Sequence, residues 1–129
     1  MDGQHVRTGG CLCGAVRYQL RGEPYVAGLC HCTTCRKLSG APFVATANWH
    51  AAQFEMSGTL ATYERRSFCP ACGARLFFVF DGGVEVFLGT LDQAPNGISP
   101  EIEVWTSRRE PWLPPIPGVA SHPHNPDNS

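Results

Sequence analysis

The chain has 129 residues, a formal net charge of −1, and charged side chains at only 16% of its positions. Its length suits a single domain, and its charge balance gives no basic surface of the kind that nucleic-acid binding requires. Glycine (14) and proline (11) are abundant, which favours a loop-rich β domain over a helical bundle or a disordered chain. We therefore expect no nucleic-acid partner.

Two features of the sequence predict a cytoplasmic protein without a membrane partner. No apolar run approaches the roughly 20 residues that span a bilayer. Residues 1–7 are polar and lack the apolar core of a signal peptide. In the reducing cytoplasm, clustered cysteines favour metal ligands over disulfides, and an odd total of seven cannot pair completely.

The pattern of apolar residues predicts mostly strands. Val16, Tyr18 and Leu20 alternate with polar neighbours, as in a half-buried strand. The predicted strands, in chain order, are 15–20, 25–29, 43–49, 53–56, 59–65, 74–80, 84–88 and 102–105. The two strands at 74–80 and 84–88 form a hairpin around Asp81-Gly82-Gly83. One short helix is predicted over 33–38, capped by Thr33 or Thr34 and ended by Ser39-Gly40.

These elements predict one domain over residues 9–112. An N-terminal extension at 1–8 precedes it, and a proline-rich flexible tail at 113–129 follows it.

The seven cysteines form three clusters with the spacings of metal ligands. They are Cys11 and Cys13, then Cys30, Cys32 and Cys35, then Cys69 and Cys72. In extended backbone, residues i and i+2 point to the same face and can chelate one ion, so Leu12 and His31 should face away. A C-x-x-C pair instead wraps a turn whose amides point back at the sulfurs. The turn formers Pro70 and Gly73 favour that geometry at the last cluster.

Spacing allows more than one way to group these clusters. The simplest joins Cys11 and Cys13 to Cys69 and Cys72 as a closed, structural zinc site, leaving an open site of three cysteines. Joining Cys11 and Cys13 to Cys30 and Cys32 is also compatible with the spacing. The two groupings predict opposite roles for Cys35.

An open site of three thiolates favours chemistry at sulfur. Three thiolates around Zn²⁺ leave a net charge of −1, so the site should prefer a soft fourth ligand such as a thiol. Zinc deprotonates a bound thiol, which suits the making or breaking of a carbon–sulfur bond. The alternatives are a fourth ligand from a histidine or carboxylate of the chain, a redox pair, or an iron–sulfur cluster.

Five motifs resemble those of the glutathione-dependent formaldehyde-activating enzyme family, which includes the centromere protein V domain. These stretches are Gly10 to Tyr18, Cys30 to Gly40, Phe68 to Gly73, Val86 to Asp92, and Trp105 to Trp112. The resemblance covers residues 9–112 and implies a mainly antiparallel, zinc-bearing β-tent fold. It implies two zinc ions per chain: a structural one on Cys11, Cys13, Cys69 and Cys72, and a catalytic one on Cys30, Cys32 and Cys35.

The resemblance also implies an activity, which we state as an expectation. It is that of a carbon–sulfur lyase acting on adducts of glutathione, or another small thiol, with formaldehyde or a related electrophile. The cations considered for binding the carboxylates of glutathione are Arg36, Lys37, Arg65, Arg66 and Arg75. The sequence identifies no general acid or base; His31 and Asp92 are considered for that role, and a structural role is the favoured alternative for both. The alternative function is a noncatalytic zinc-stabilised β module for protein binding, or for thiol or zinc sensing.

Overall fold

The computed structural model describes residues 5–126. The chain is mainly β, as predicted, and its strands are short. They are β1 (Val6–Gly10), β2 (Arg17–Arg21), β3 (Val26–Cys30), β4 (Val44–His50), β5 (Phe54–Ser57), β6 (Ala61–Tyr63), β7 (Arg66–Phe68), β8 (Arg75–Phe80), β9 (Gly83–Phe87), β10 (Ile102–Val104) and β11 (Ala120–Ser121). Within this range the α-helix α1 covers Thr33–Ser39, and three 3₁₀ turns cover Ala51–Gln53, Leu88–Thr90 and Thr106–Arg108.

The described residues group into two compact units. The first comprises residues 5–25 and 47–97, and the second comprises residues 26–46 and 98–126. The boundary falls within β4, so this strand contributes residues to both units. Between residues 5 and 126, no helix is long and apolar enough to cross a bilayer.

The first unit contains an antiparallel sheet in the order β1-β2-β5. The alternation predicted for β2 is observed, since Tyr18 and Leu20 are buried between more exposed neighbours. The Tyr18 ring lies 6.0 Å from Phe77 and 6.1 Å from Phe54, measured between centroids. Phe54 and Phe77 meet edge to face at 5.0 Å, a favoured geometry for aromatic pairs. These contacts pack one face of the sheet against β8.

The hairpin predicted around Asp81-Gly82-Gly83 is present as β8 and β9. Gly82 has φ +83°, which explains why glycine suits this turn. The inward residues Leu76 and Phe77 of β8, with Val84 and Val86 of β9, are buried in the core of the first unit.

The single strand predicted over 59–65 is wrong, because the chain reverses direction there. β6 and β7 form a tight antiparallel hairpin in which Tyr63 pairs with Arg66. Glu64 and Arg65, the two residues between them, have φ +50° and +68°. Positive φ at both central positions is typical of a type I′ turn, which Asn-Gly or Asp-Gly usually signals. Glu-Arg carries no such signal, so the pattern alone predicted one continuous strand.

The second unit contains parallel strands, which the mainly antiparallel expectation did not include. β10 pairs in parallel with β3 on one side and with β11 on the other. Parallel neighbours need a long connection, and much of the chain lies between β3 and β10. β11 lies inside 113–129, the segment predicted to be a flexible tail, and was not itself predicted. That flexibility stays a prediction, and residues 127–129 lie outside the described range.

Part of the segment predicted as an N-terminal extension, residues 1–8, belongs to a strand. Val6, Arg7 and Thr8 belong to β1 and pair with β2, while residues 1–4 lie outside the described range. The boundary at residue 9 therefore cuts through a strand.

Substituting Trp49 tests the core of the first unit. Trp49 is 0% exposed, and its indole N–H donates to the carbonyl oxygen of Gly22 at 3.0 Å. Trp49→Phe leaves that carbonyl without its donor and opens a gap, so we expect a loss of about 2–3 kcal/mol in the free energy of unfolding. Urea unfolding followed by circular dichroism measures the loss. Trp112→Phe is the matched control, because Trp112 is 67% exposed. Equal effects of both substitutions would contradict this account of the core.

Candidate metal centres

Four cysteines come together in the first unit. Cys11 and Cys13 lie in the turn after β1, and Cys69 and Cys72 lie in the turn after β7. Their sulfurs all lie within 4.8 Å of one another. The Sγ atoms of Cys11 and Cys13 are 3.6 Å apart, and those of Cys13 and Cys69 are 3.8 Å apart. This is the grouping that the simplest reading of the spacing predicts.

These spacings fit a tetrahedral zinc ion. Zn–S bonds of about 2.3 Å place neighbouring sulfurs of a regular tetrahedron about 3.8 Å apart. Both measured Sγ–Sγ distances lie close to that value. The four-cysteine group could therefore hold a zinc ion with little rearrangement of the sulfurs.

The turns that carry these cysteines supply backbone donors to the sulfurs. The Cys72 amide donates to Sγ of Cys69 at 3.5 Å, as predicted for a C-x-x-C turn, and the Val16 amide donates to Sγ of Cys11 at 3.2 Å. The prediction that Cys11 and Cys13 lie in extended backbone is wrong. The Gly14 amide donates to the Cys11 carbonyl at 3.2 Å and closes a turn, and Gly14 then redirects the chain with φ +85°, a conformation that glycine adopts without strain.

Other backbone donors favour thiolate at one member of the group. Hydrogen bonds from the backbone of Ala74 and Cys13 lower the pKa of the Cys72 thiol to about 6, against an ordinary value of 9.0. Leu12, between the first two cysteines, is 90% exposed and points away from the group. A thiolate that is already stabilised in this way is suited to accept a metal ion.

Three cysteines come together in the second unit. Cys30 ends β3, Cys32 is the N-cap of α1, and Cys35 lies in the first turn of that helix. Their sulfurs also lie within 4.8 Å of one another, and all three residues are half-buried. Among residues 5–126, this group comprises these three residues, with no histidine or carboxylate among its members. The arrangement supplies three ligands of one chemical type.

The helix predicted at 33–38 exists, but its cap is different. The predicted caps Thr33 and Thr34 lie inside the helix, and Cys32 caps it. The Cys35 amide donates to Sγ of Cys32 at 3.3 Å, so sulfur takes the place of the usual hydroxyl or carboxylate oxygen. The predicted end is confirmed, because Gly40 adopts the left-handed conformation at φ +70°.

Proton sharing among the three thiols opposes ionisation of the whole group. A hydrogen bond with the Cys30 thiol, followed by burial and the Cys30 charge, raises the pKa of the Cys35 thiol far above its ordinary value. Three thiolates this close together repel one another strongly. A bound cation would replace the shared protons, so metal binding here is coupled to proton release.

His31 is not a member of the three-cysteine group. Its side chain is 0% exposed, and its Nε2 lies 2.6 Å from Oε2 of Glu103, which is 1% exposed. Arg109 donates to the other carboxylate oxygen of Glu103 at 2.8 Å. Because the imidazole is enclosed by protein, it is poorly placed to act as a general acid or base on a substrate from solvent.

Asp92, the other acid or base candidate, is held in an ion pair. Hydrogen bonds from Arg17 and from the Thr8 hydroxyl lower the pKa of the Asp92 carboxyl. The Thr8 hydroxyl lies 2.7 Å from Oδ2, and Arg17 Nη1 lies 3.0 Å from Oδ1. These contacts join β1 and β2 to the segment after β9 and favour a structural role for Asp92.

Most of the candidate cations are engaged elsewhere. Arg36 on α1 bonds Glu110 at 2.7 Å. In the first unit, the guanidinium groups of Arg66 and Arg75 lie over the rings of Phe78 and Phe68. Arg65 sits at the turn between β6 and β7, and Lys37 is exposed on α1.

The sequence pattern missed Glu103, the buried carboxylate that pairs with His31. Glu103 lies on β10 between Ile102 and Val104, and simple alternation would point it at solvent. It is the buried residue of that strand, and its apolar neighbours are only half-buried. A three-residue strand is too short for the period-two signal to reveal this.

Comparisons with known proteins find a family model and a relative described as a lyase. A family model described as glutathione-dependent formaldehyde-activating enzyme matches residues 6–108. A protein of Schizosaccharomyces pombe described as an uncharacterized lyase is 34% identical over 80 residues. That alignment spans 58% of this chain and 58% of the length of the relative.

A solved structure of a Rhodobacter sphaeroides protein shares the fold. Its TM-score is 0.52 at 21% identity, and the match covers 72% of this chain and 91% of that one. At this identity the likeness concerns the fold alone.

Serine substitutions distinguish the two cysteine groups. We expect two zinc ions per chain in the wild type and one in Cys35→Ser, with the fold retained, because that sulfur belongs to the three-cysteine group. We expect Cys72→Ser to unfold the chain, since structural zinc contributes on the order of 10–16 kcal/mol of apparent binding energy. Elemental analysis measures the metal content, and thermal melting measures the stability. If Cys35→Ser unfolds the protein as severely as Cys72→Ser, the two roles are assigned wrongly.

Proposed function

The chain belongs to the glutathione-dependent formaldehyde-activating enzyme family, and from this membership we propose that it is a zinc-dependent carbon–sulfur lyase. Its substrate would be an adduct between a small thiol, such as glutathione, and formaldehyde or a related electrophile. The observation that carries the proposal is the group of Cys30, Cys32 and Cys35, whose three sulfurs converge without a fourth protein ligand among residues 5–126. The lyase description of the yeast relative supports the same reaction class.

The proposed reaction makes or breaks one carbon–sulfur bond. In the forward direction, the thiol sulfur attacks the aldehyde carbon, and the carbonyl π electrons move to oxygen. The proton lost by the thiol balances the proton gained by that oxygen, giving an S-hydroxymethyl thioether without an oxidant or reductant. In reverse, the sulfur leaves with the bonding electrons as the hydroxyl loses its proton and the carbonyl re-forms.

Cys30, Cys32 and Cys35 would hold the zinc ion of this site. When bound, zinc supplies a Lewis acid that keeps a substrate sulfur in the thiolate form at neutral pH. The three residues are half-buried, which is compatible with the approach of a small molecule. The Cys35 amide already donates to Sγ of Cys32, which offsets part of the negative charge of the thiolates.

The four-cysteine group would hold a second, structural zinc ion. It ties the turn after β1 to the turn after β7, two segments far apart in the chain. Its apparent binding energy, on the order of 10–16 kcal/mol, is comparable with the total stability of a domain. This site would maintain the first unit and take no part in the reaction.

Of the two cations on α1, Lys37 is a better candidate than Arg36 for binding a carboxylate of the substrate. Arg36 is committed to Glu110 at 2.7 Å and also approaches the carbonyl oxygen of Arg108 at 3.3 Å. Lys37 follows it on the same helix, is exposed, and forms no ion pair among residues 5–126. A flexible ammonium group on the helix that begins with the cysteine ligands suits a carboxylate of a small peptide thiol.

Cobalt substitution tests this function. We expect Co²⁺ to occupy both cysteine groups, and glutathione to change the absorption spectrum, because its thiolate would enter the coordination shell at the three-cysteine group. Cys35→Ser is the control and should retain the four-cysteine spectrum without a response to glutathione. Exchange between glutathione, ¹³C-formaldehyde and their adduct, followed by NMR, should be faster with the zinc protein than without it. A wild type with no spectral response and no accelerated exchange would favour a noncatalytic zinc module.

A further inference from the structure

A network of three polar side chains, two of them buried and one half-buried, adjoins the three-cysteine group. It consists of His31, Glu103 and Arg109. Nε2 of His31 lies 2.6 Å from Oε2 of Glu103, and Arg109 reaches the same carboxylate with Nη2 at 2.8 Å from Oε1 and Nε at 3.4 Å from Oε2. Both His31 and Glu103 are closed off from solvent. His31 is also the residue between Cys30 and Cys32, so this network reaches the backbone that carries two of the sulfurs.

The backbone reinforces that connection. β3 and β10 pair in parallel, with Leu29 opposite Glu103 and Cys30 opposite Val104. One residue later, the His31 amide donates to the Val104 carbonyl at 3.2 Å. The strand that carries Glu103 therefore runs alongside the segment that enters the three-cysteine group.

Burying a carboxylate is costly unless it is fully paired, so this arrangement needs a physical reason. Burial alone would raise the pKa of Glu103, but the hydrogen bonds and charges of Arg109 and His31 outweigh it and lower that pKa. The Glu103 carboxylate is therefore ionised and can only accept hydrogen bonds, so in this contact Nε2 of His31 carries the proton and donates it. Nδ1 of His31 has no hydrogen-bond partner within residues 5–126, so the Nε2 bond is what orients the ring.

We propose that Glu103 is a positioning residue for the three-cysteine group and acts through the His31 imidazole. Its hydrogen bond holds the ring, and with it the backbone between Cys30 and Cys32, so that both sulfurs face the same point before a metal ion arrives. This inference rests on the proposed function, since it concerns the group that would hold the catalytic zinc. Neither residue touches the substrate.

A simpler reading is that His31 only fills space in the core, next to Phe43 at 5.5 Å between ring centroids. The two readings differ in what the ring must do. A space filler can be replaced by an apolar side chain of similar size, whereas a positioning residue must keep its donor to Glu103.

Two substitutions of His31 separate these readings. In His31→Gln the side-chain amide can still donate to Glu103, and in His31→Leu no donor remains. We expect His31→Leu to weaken cobalt binding at the three-cysteine group by about 10–100-fold, the usual effect of losing a partner that orients a metal site. We expect His31→Gln to stay close to the wild type. Competition with a chelator measures both affinities, and the Cys35→Ser spectrum provides the four-cysteine contribution to subtract.

A substitution of Glu103 provides an independent test. Glu103→Gln keeps the shape of the side chain but replaces one acceptor oxygen with an NH₂ donor. It therefore cannot accept from both Arg109 and His31, as the carboxylate does, and we expect a loss of cobalt affinity at the three-cysteine group. Glu101→Gln is the matched control: it makes the same change two residues earlier, where the side chain is exposed. Affinity at the four-cysteine group, which lies in the other unit, should stay unchanged in every variant and reports that the first unit is folded, while circular dichroism of each variant reports on the whole chain.

The outcomes distinguish this inference from the proposed function. Equal cobalt affinities of His31→Leu and His31→Gln, or of Glu103→Gln and Glu101→Gln, would overturn the positioning role and leave the proposed function intact. A wild type that binds no metal at the three-cysteine group would overturn both. If His31→Leu fails to fold, the comparison of Glu103→Gln with Glu101→Gln tests the positioning role by itself.

Discussion

Cysteine sulfurs held within 4.8 Å of one another cannot all carry a negative charge unless a cation offsets their repulsion. This constraint acts in both units, on four sulfurs in the first and on three in the second. Backbone hydrogen bonds from Ala74 and Cys13 lower the pKa of the Cys72 thiol, whereas a hydrogen bond with Cys30 and burial raise the pKa of the Cys35 thiol. A metal ion bound at either group would therefore couple folding to proton release.

The two groups satisfy that constraint in different ways. The four-cysteine group joins two turns that are distant in sequence, and its sulfurs have the spacing of a tetrahedral zinc site. The three-cysteine group comes from one short stretch, the end of β3 and the start of α1. A closed set of four ligands favours a structural role, whereas a set of three can accept a ligand from outside the protein. For that reason the proposed chemistry is assigned to the second set.

A metal site with three protein ligands depends on neighbouring residues that hold those ligands in place. The loop through Cys30 and Cys32 is held by strand pairing to β10 and by the buried contact of His31 with Glu103. The helix that follows is held by the ion pair of Arg36 with Glu110. The segment that includes β10 and the following 3₁₀ turn therefore contacts the three-cysteine region at two points. This organisation matches the general rule that outer residues orient metal ligands.

Local patterns in the sequence were enough to predict the mainly β class, the β8–β9 hairpin, the helix after the central cysteines and the end of that helix. These features depend on neighbouring residues: alternation, turn glycines and a capping position. The spacing of the cysteines indicated metal ligands but left their grouping open, because it says nothing about which distant segments meet. Beyond the spacing, it is the tertiary structure that shows Cys11 and Cys13 next to Cys69 and Cys72. It also shows that the chain reverses direction at Glu64 and Arg65. It alone paired His31 with Glu103, which lies 72 residues away, because such a contact depends on the register of β3 against β10.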